Sequence, residues 1–115
     1  MRLRTTLAAA VGALALTVAV PTSASAATGQ FFYVYSGLDG SPQVAALTDP
    51  RSGECVTLPE VADPGASSPA RSPRNRTDAT AVVFTNPDCT GDYYVLNPFV
   101  GGAGPRLELR SVFFS

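Results

Sequence analysis

The sequence predicts an all-β sandwich, and three observations lead there. Short apolar or alternating stretches recur between turn residues. Nine prolines and nine glycines follow position 26, a dense punctuation that favours strands and turns over helices. Outside the N-terminal segment, no window carries an apolar stripe at helical spacing.

The strands follow in order. Phe31 to Tyr35 is an unbroken aromatic and β-branched run, and Gln43 to Leu47 reads as its neighbour. Glu54 to Leu58 is a third strand. Thr80 to Phe84 and Asp92 to Leu96 are the strongest pair, each rich in Val, Phe or Tyr. Leu107 to Arg110 alternates apolar and charged residues, and Val112 to Phe114 continues as strand. The stretch from Pro59 to Asp78 holds four prolines and three arginines, and is expected to be irregular and flattened onto the sandwich.

Residues 1–26 read as an export signal. Arg2 and Arg4 precede an uncharged run of 14 residues, Leu7 to Val20, and Pro21 ends it before the small-x-small site Ala24-Ser25-Ala26. A membrane span needs about 20 apolar residues, so the run is too short to be one. No cysteine follows the cleavage site, and the two arginines are not adjacent, which favours the general secretory route. The expectation is a secreted, extracellular product without a membrane anchor: one monomeric domain, residues 27–115.

Composition removes whole classes of chemistry. There is no His and no Lys; all eight basic residues are Arg. A Ser-His-Asp triad, a His metal site, a Schiff-base amine and a phosphate-binding P-loop are therefore absent. After residue 26, six arginines face nine acids, a net of −3 that argues against nucleic acid. Cys55 and Cys89 are the only cysteines, 34 positions apart. An even pair in a small exported domain reads as one structural disulfide, whereas a redox pair is normally close-spaced.

A repeat runs through the domain. Tyr33-x4-Leu38-x-Gly40 aligns with Phe84-x4-Cys89-x-Gly91 at an offset of 51, and each is followed later by a serine, Ser72 and Ser111. This pattern resembles the βγ-crystallin motif. The resemblance implies two Greek-key units paired into a sandwich. In each, glycine bends a folded hairpin, the first aromatic packs beneath it, and the serine hydroxyl reaches its backbone. The second bulky position is aromatic in that family but is Leu38 and Cys89 here. The exported chain is also similar to a group of small actinobacterial proteins that includes peptidase inhibitors and killer-toxin-like proteins. That likeness implies a non-enzymatic binding module, with a structural or stress-related protein and an antimicrobial toxin as alternatives.

Candidate sites are few. The Pro-stiffened stretch Ala66 to Arg76 could enter a protease cleft with Arg71 or Arg74 in an acidic pocket and Arg76 beside them; a solvated connecting loop is the plainer reading. Asn75-Arg76-Thr77 fits the glycosylation acceptor pattern. The family's calcium positions, five and four before each serine, hold Ser67 and Ser68, then Arg106 and Leu107, none of them acidic, so no metal or other cofactor is expected. No catalytic residue is assigned. The paired aromatics Phe31-Phe32, Tyr93-Tyr94 and Phe113-Phe114 place one ring on each strand face. They could meet an extracellular protease or a cell-envelope component, or be covered by the stretch from Pro59 to Asp78.

Overall fold

The computed structural model describes residues 25–115; residues 1–24, which hold most of the predicted export signal, lie outside the described residues. Eight strands form: β1 (Gly29–Ser36), β2 (Pro42–Thr48), β3 (Cys55–Thr57), β4 (Ala70–Thr77), β5 (Ala81–Asn86), β6 (Thr90–Leu96), β7 (Glu108–Leu109) and β8 (Ser111–Phe114). Two 3₁₀ turns, Pro59–Val61 and Pro87–Cys89, are the helical elements among the described residues. None of the described helices is long and apolar enough to cross a membrane.

The strands make two antiparallel sheets of four, ordered β2-β1-β4-β7 and β3-β8-β5-β6. Each half of the chain thus sends its third strand into the other half's sheet: β3 pairs with β8, and β7 with β4. The core lies between the sheets. Phe31, Tyr33, Ala81, Val83, Leu109, Val112 and Phe114 face one another there, all 1% exposed or less. Phe31 and Phe114 meet edge to face at 5.5 Å, the arrangement that ring quadrupoles favour.

Seven strands form where the apolar runs predict them, but β4 corrects the reading of the stretch from Pro59 to Asp78. Residues 70–77 are a paired strand beside β1, not an irregular cover. Its pattern is hidden because the inward positions are Pro73, Asn75 and Thr77, not aliphatics, while Arg74 and Arg76 point out. Asn75 satisfies itself in the interior: its Nδ2 donates to the carbonyls of Ala79, Leu96 and Asn97, and its Oδ1 accepts from Thr77 N–H and Oγ1–H. Pro73 cannot donate to a ladder. It sits with Ser72 in a bulge opposite Tyr33, between the pairs Phe32–Arg74 and Val34–Arg71, and Ser72 takes a left-handed φ of 53°.

The far edge of β4 is closed by irregular chain. Phe99 N–H donates to Thr77 O at 2.9 Å, Asn75 N–H to Gly101 O at 2.8 Å and Ala103 N–H to Pro73 O at 3.1 Å. Between β3 and β4, the chain is fastened by Arg110, buried without a carboxylate. Its guanidinium donates to Val61 O at 2.9 Å, to Ser67 O at 2.8 Å and to Ser67 Oγ at 3.1 Å. Main-chain dipoles replace the lost water around this charge.

The two halves share a strand plan but not their local details. Gly40 and Gly91 both have positive φ, 84° and 89°. A Cβ at Gly40 would meet open space, whereas one at Gly91 would lie 2.5 Å from Thr85 Oγ1. Tyr33 points into the core, while Phe84, half-buried next to the buried Val83, lies on the outer face of β5. Ser111 is bonded to the turn before Gly91, but the Ser72 hydroxyl makes no such bond among the described residues. The bulge at Ser72 and Pro73 turns that position away from a simple ladder, so the 51-residue offset does not align equivalent surroundings.

Candidate functional site

The second sheet is apolar on both faces. Alternation along β5 buries Ala81 and Val83 and turns Val82 and Phe84 outward. Residues directly opposite across an antiparallel pair share a face. Val82 therefore stands in one row between Phe113 and Val95, and Phe84 in the next beside Tyr93. The Phe84 and Tyr93 rings lie 6.2 Å apart. Tyr93 is 61% exposed and Val95 57%. These five side chains form an uncharged surface, whereas the outer face of the first sheet sets Arg71, Arg74 and Arg76 opposite Val34, Phe32 and Gln30.

A hairpin walls one side of this surface. The turn between β5 and β6 uses left-handed backbone at Asp88 and Cys89, with φ of 58° and 55°, to fold back toward β3. Four bonds hold it down. Cys89 is disulfide-bonded to Cys55. Ser111, fully buried, accepts Cys89 N–H at 2.8 Å and donates to Asn86 O at 2.6 Å. Asp88 N–H donates to Thr57 Oγ1 at 3.1 Å. The other side is open, because β6 is an edge strand and every residue from Thr90 to Val95 is exposed. Such an edge offers unpaired backbone donors and acceptors to another chain.

The predicted arginine loop is corrected by the same geometry. Arg71, Arg74 and Arg76 lie in β4, whose backbone is paired on both sides and cannot thread a protease cleft. The side chains act as braces instead. Arg76 Nη1 donates to Phe99 O at 2.9 Å and Gly101 O at 3.3 Å, Arg74 Nη1 to Ala103 O at 3.1 Å, and Arg71 Nη1 to Ser36 Oγ at 3.3 Å. Asn75 is fully buried, so the glycosylation pattern is inaccessible in the folded chain. The segment they brace ends in an apolar tip, with Phe99 58% and Val100 77% exposed. Phe99 has a φ of 64°, and Val100 N–H donates to Pro98 O at 2.7 Å; an i to i+2 bond around a positive φ is a strained γ-turn.

Cover by the stretch from Pro59 to Asp78 is also corrected: its second half is β4 in the other sheet, and Tyr93 and Tyr94 stay open. Its first half helps line a separate cleft of about 370 Å³, with the β1–β2 hairpin as the facing wall. There, Tyr33 donates its hydroxyl to Glu60 Oε1 at 2.6 Å. Burial, reinforced by that carboxylate, raises the Tyr33 phenol above its ordinary range. At the hairpin tip, the hydroxyl and N–H of Ser41 hold the Asp39 carboxyl below its usual value.

No group of three or more His, Cys, Asp or Glu side chains able to hold a metal ion exists among the described residues. The outward Val82 and Val95 and the cleft residue Glu60 escaped the sequence reading as site residues, whereas Phe113 and Tyr93 were among its paired aromatics. The first two had a signal, since runs such as Ala81 to Phe84 are apolar at consecutive positions. Glu60 had none. No family model, curated protein or solved structure matches the chain.

Proposed function

We propose that this chain is an exported, non-enzymatic, monomeric binding module of βγ-crystallin-like, two-Greek-key architecture. In this reading it docks a protein partner on the outer face of its second sheet. The exchange of β3 and β7 between the halves supports the Greek-key reading, as does the Ser111 staple on the glycine-bent hairpin. One observation carries the functional part: Val82, Phe84, Tyr93, Val95 and Phe113 form an apolar face with no charge in it, beside an open edge strand. Aqueous exposure of such a face is costly unless a partner covers it.

A polypeptide fits this surface better than a glycan. Sugar recognition needs polar groups ringed around an aromatic platform, and here Tyr93 is paired with Phe84, beside a row formed by Phe113, Val82 and Val95. A protein can cover the rings while pairing its own backbone with β6. A secreted peptidase is the partner class that the resemblance favours, and it would be met by this face, since Arg71 and Arg74 are locked in β4.

The test is a panel of purified serine and metallopeptidases, assayed for inhibition by, and binding to, the chain from residue 27. The expected result is at least one peptidase bound with a Kd of about 1 μM or tighter. Val95→Arg, which sets a charge in the apolar row, should weaken that binding about a hundredfold. A panel without any binding removes peptidases as partners. Concentration-dependent dimerisation abolished by Val95→Arg would make the face a self-interface and overturn the partner reading.

A further inference from the structure

The cleft between the β1–β2 hairpin and the segment after β3 is independent of the second sheet's outer face. It measures about 370 Å³, and Ser36, Leu38, Glu60, Ser67 and Ser68 are among its walls. Glu60 is the one charged side chain lining it. Its carboxylate is oriented by the buried Tyr33 phenol, which donates to Oε1 at 2.6 Å, and Oε2 has no hydrogen-bond partner among the described residues. No cation neutralises it: the ion pair among the described residues joins Arg51 to Glu54. Two guanidiniums are bonded to the cleft's walls without pairing with that carboxylate: Arg110 donates to Val61 O and to Ser67, and Arg71 to Ser36 Oγ. Leu38, at the hairpin tip, is fully exposed over the cleft.

We infer that this cleft takes a long cationic side chain, lysine or arginine, from a partner polypeptide. The chemistry of the walls matches both ends of such a group. A fixed, unpaired carboxylate receives an ammonium or guanidinium in a charge-assisted hydrogen bond. The hydroxyl of Ser68, the cleft serine that no arginine engages, accepts one of its remaining N–H groups. Leu38 packs on the methylene stem, which gains from leaving water although its head stays polar. A calcium ion is a poor match, because it requires several oxygen ligands with more than one carboxylate among them.

The experiment is an amide-resolved NMR titration of the chain from residue 27 with Nα-acetyl-lysine methylamide, and in parallel with the uncharged norleucine analogue. The lysine probe should shift the amides of Gly37, Gly40, Ser67 and Ser68, with a Kd of about 1–10 mM, and the norleucine probe should not. Glu60→Gln keeps an acceptor for Tyr33 but removes the charge, and should weaken the lysine probe about tenfold. Leu38→Ser should weaken it about threefold through the lost stem contact. Equal shifts from both probes, undiminished binding to Glu60→Gln, or no shift at about 50 mM probe would overturn the inference. Shifts of the same amides with Ca²⁺ alone, and none with lysine, would reassign the cleft to an inorganic cation.

Discussion

The hydroxyl of Ser111 accepts the backbone N–H of Cys89 at 2.8 Å, so one buried oxygen on β8 holds down the turn that walls the apolar face. The same oxygen donates to Asn86 O at 2.6 Å. Removing it strands both backbone groups where water enters poorly. Ser111→Ala should therefore cost about 1–3 kcal/mol. In a domain of this size that lowers Tm by about 4–8 °C per kcal/mol. Urea and thermal unfolding measure it; a loss below about 0.5 kcal/mol would show that the turn holds itself without the serine.

The Cys55–Cys89 bond pins the same turn from β3. It spans 34 positions, and closing a loop of that size should contribute about 3–4 kcal/mol on the chain-entropy view. Unfolding with and without reductant should show that difference. The bond and Ser111 share one turn, so their effects should not add. A combined variant, Ser111→Ala with Cys55→Ala and Cys89→Ala, should lose less than the serine loss and the disulfide loss added together, by at least about 0.5 kcal/mol.

What could be read from the residues follows their periodicity. The strands of the second sheet were plain because Val, Phe and Tyr fill consecutive positions, and those same runs signal a sheet with two apolar faces. The cost of that signal is ambiguity: consecutive apolar residues do not say which face is covered. β4 was invisible because its inward side is Pro73, Asn75 and Thr77, and a polar network that satisfies itself leaves no hydrophobic alternation. The unequal halves were likewise hidden. A spacing of 51 matches Tyr33 with Phe84, but the bulge at Ser72 and Pro73 is a tertiary event without a local mark, and the two rings end on opposite faces.

Phe99 pays for its conformation in strain, with φ at 64° and an aromatic side chain that is 58% exposed. Asn tolerates this region better than Phe. Phe99→Asn should thus leave stability unchanged or raise it by up to about 1 kcal/mol, although a partly buried ring is lost. If peptidase binding falls while stability does not, the tip belongs to the interface. A clear destabilisation, above about 1 kcal/mol in urea, would show instead that the ring packs on its own fold.

Tyr33 links the core to pH. Burial first, and the Glu60 carboxylate second, raise its phenol above the ordinary value near 10. In the unfolded chain this phenol ionises near that value, while the folded chain keeps its proton to higher pH. Its contribution to stability is therefore complete below about pH 10 and is lost as pH rises through the interval up to the folded-state value. Within that interval the slope should approach about −1.4 kcal/mol per pH unit from this one group. Urea unfolding at intervals from about pH 8 to pH 11.5 measures it, and Tyr33→Phe supplies the comparison. The variant should be less stable at neutral pH by about 1–2 kcal/mol, having lost the hydrogen bond to Glu60, and its profile should be flatter above pH 10. Parallel profiles for the two proteins would mean that the phenol ionises as readily folded as unfolded, and that Glu60 does not hold it.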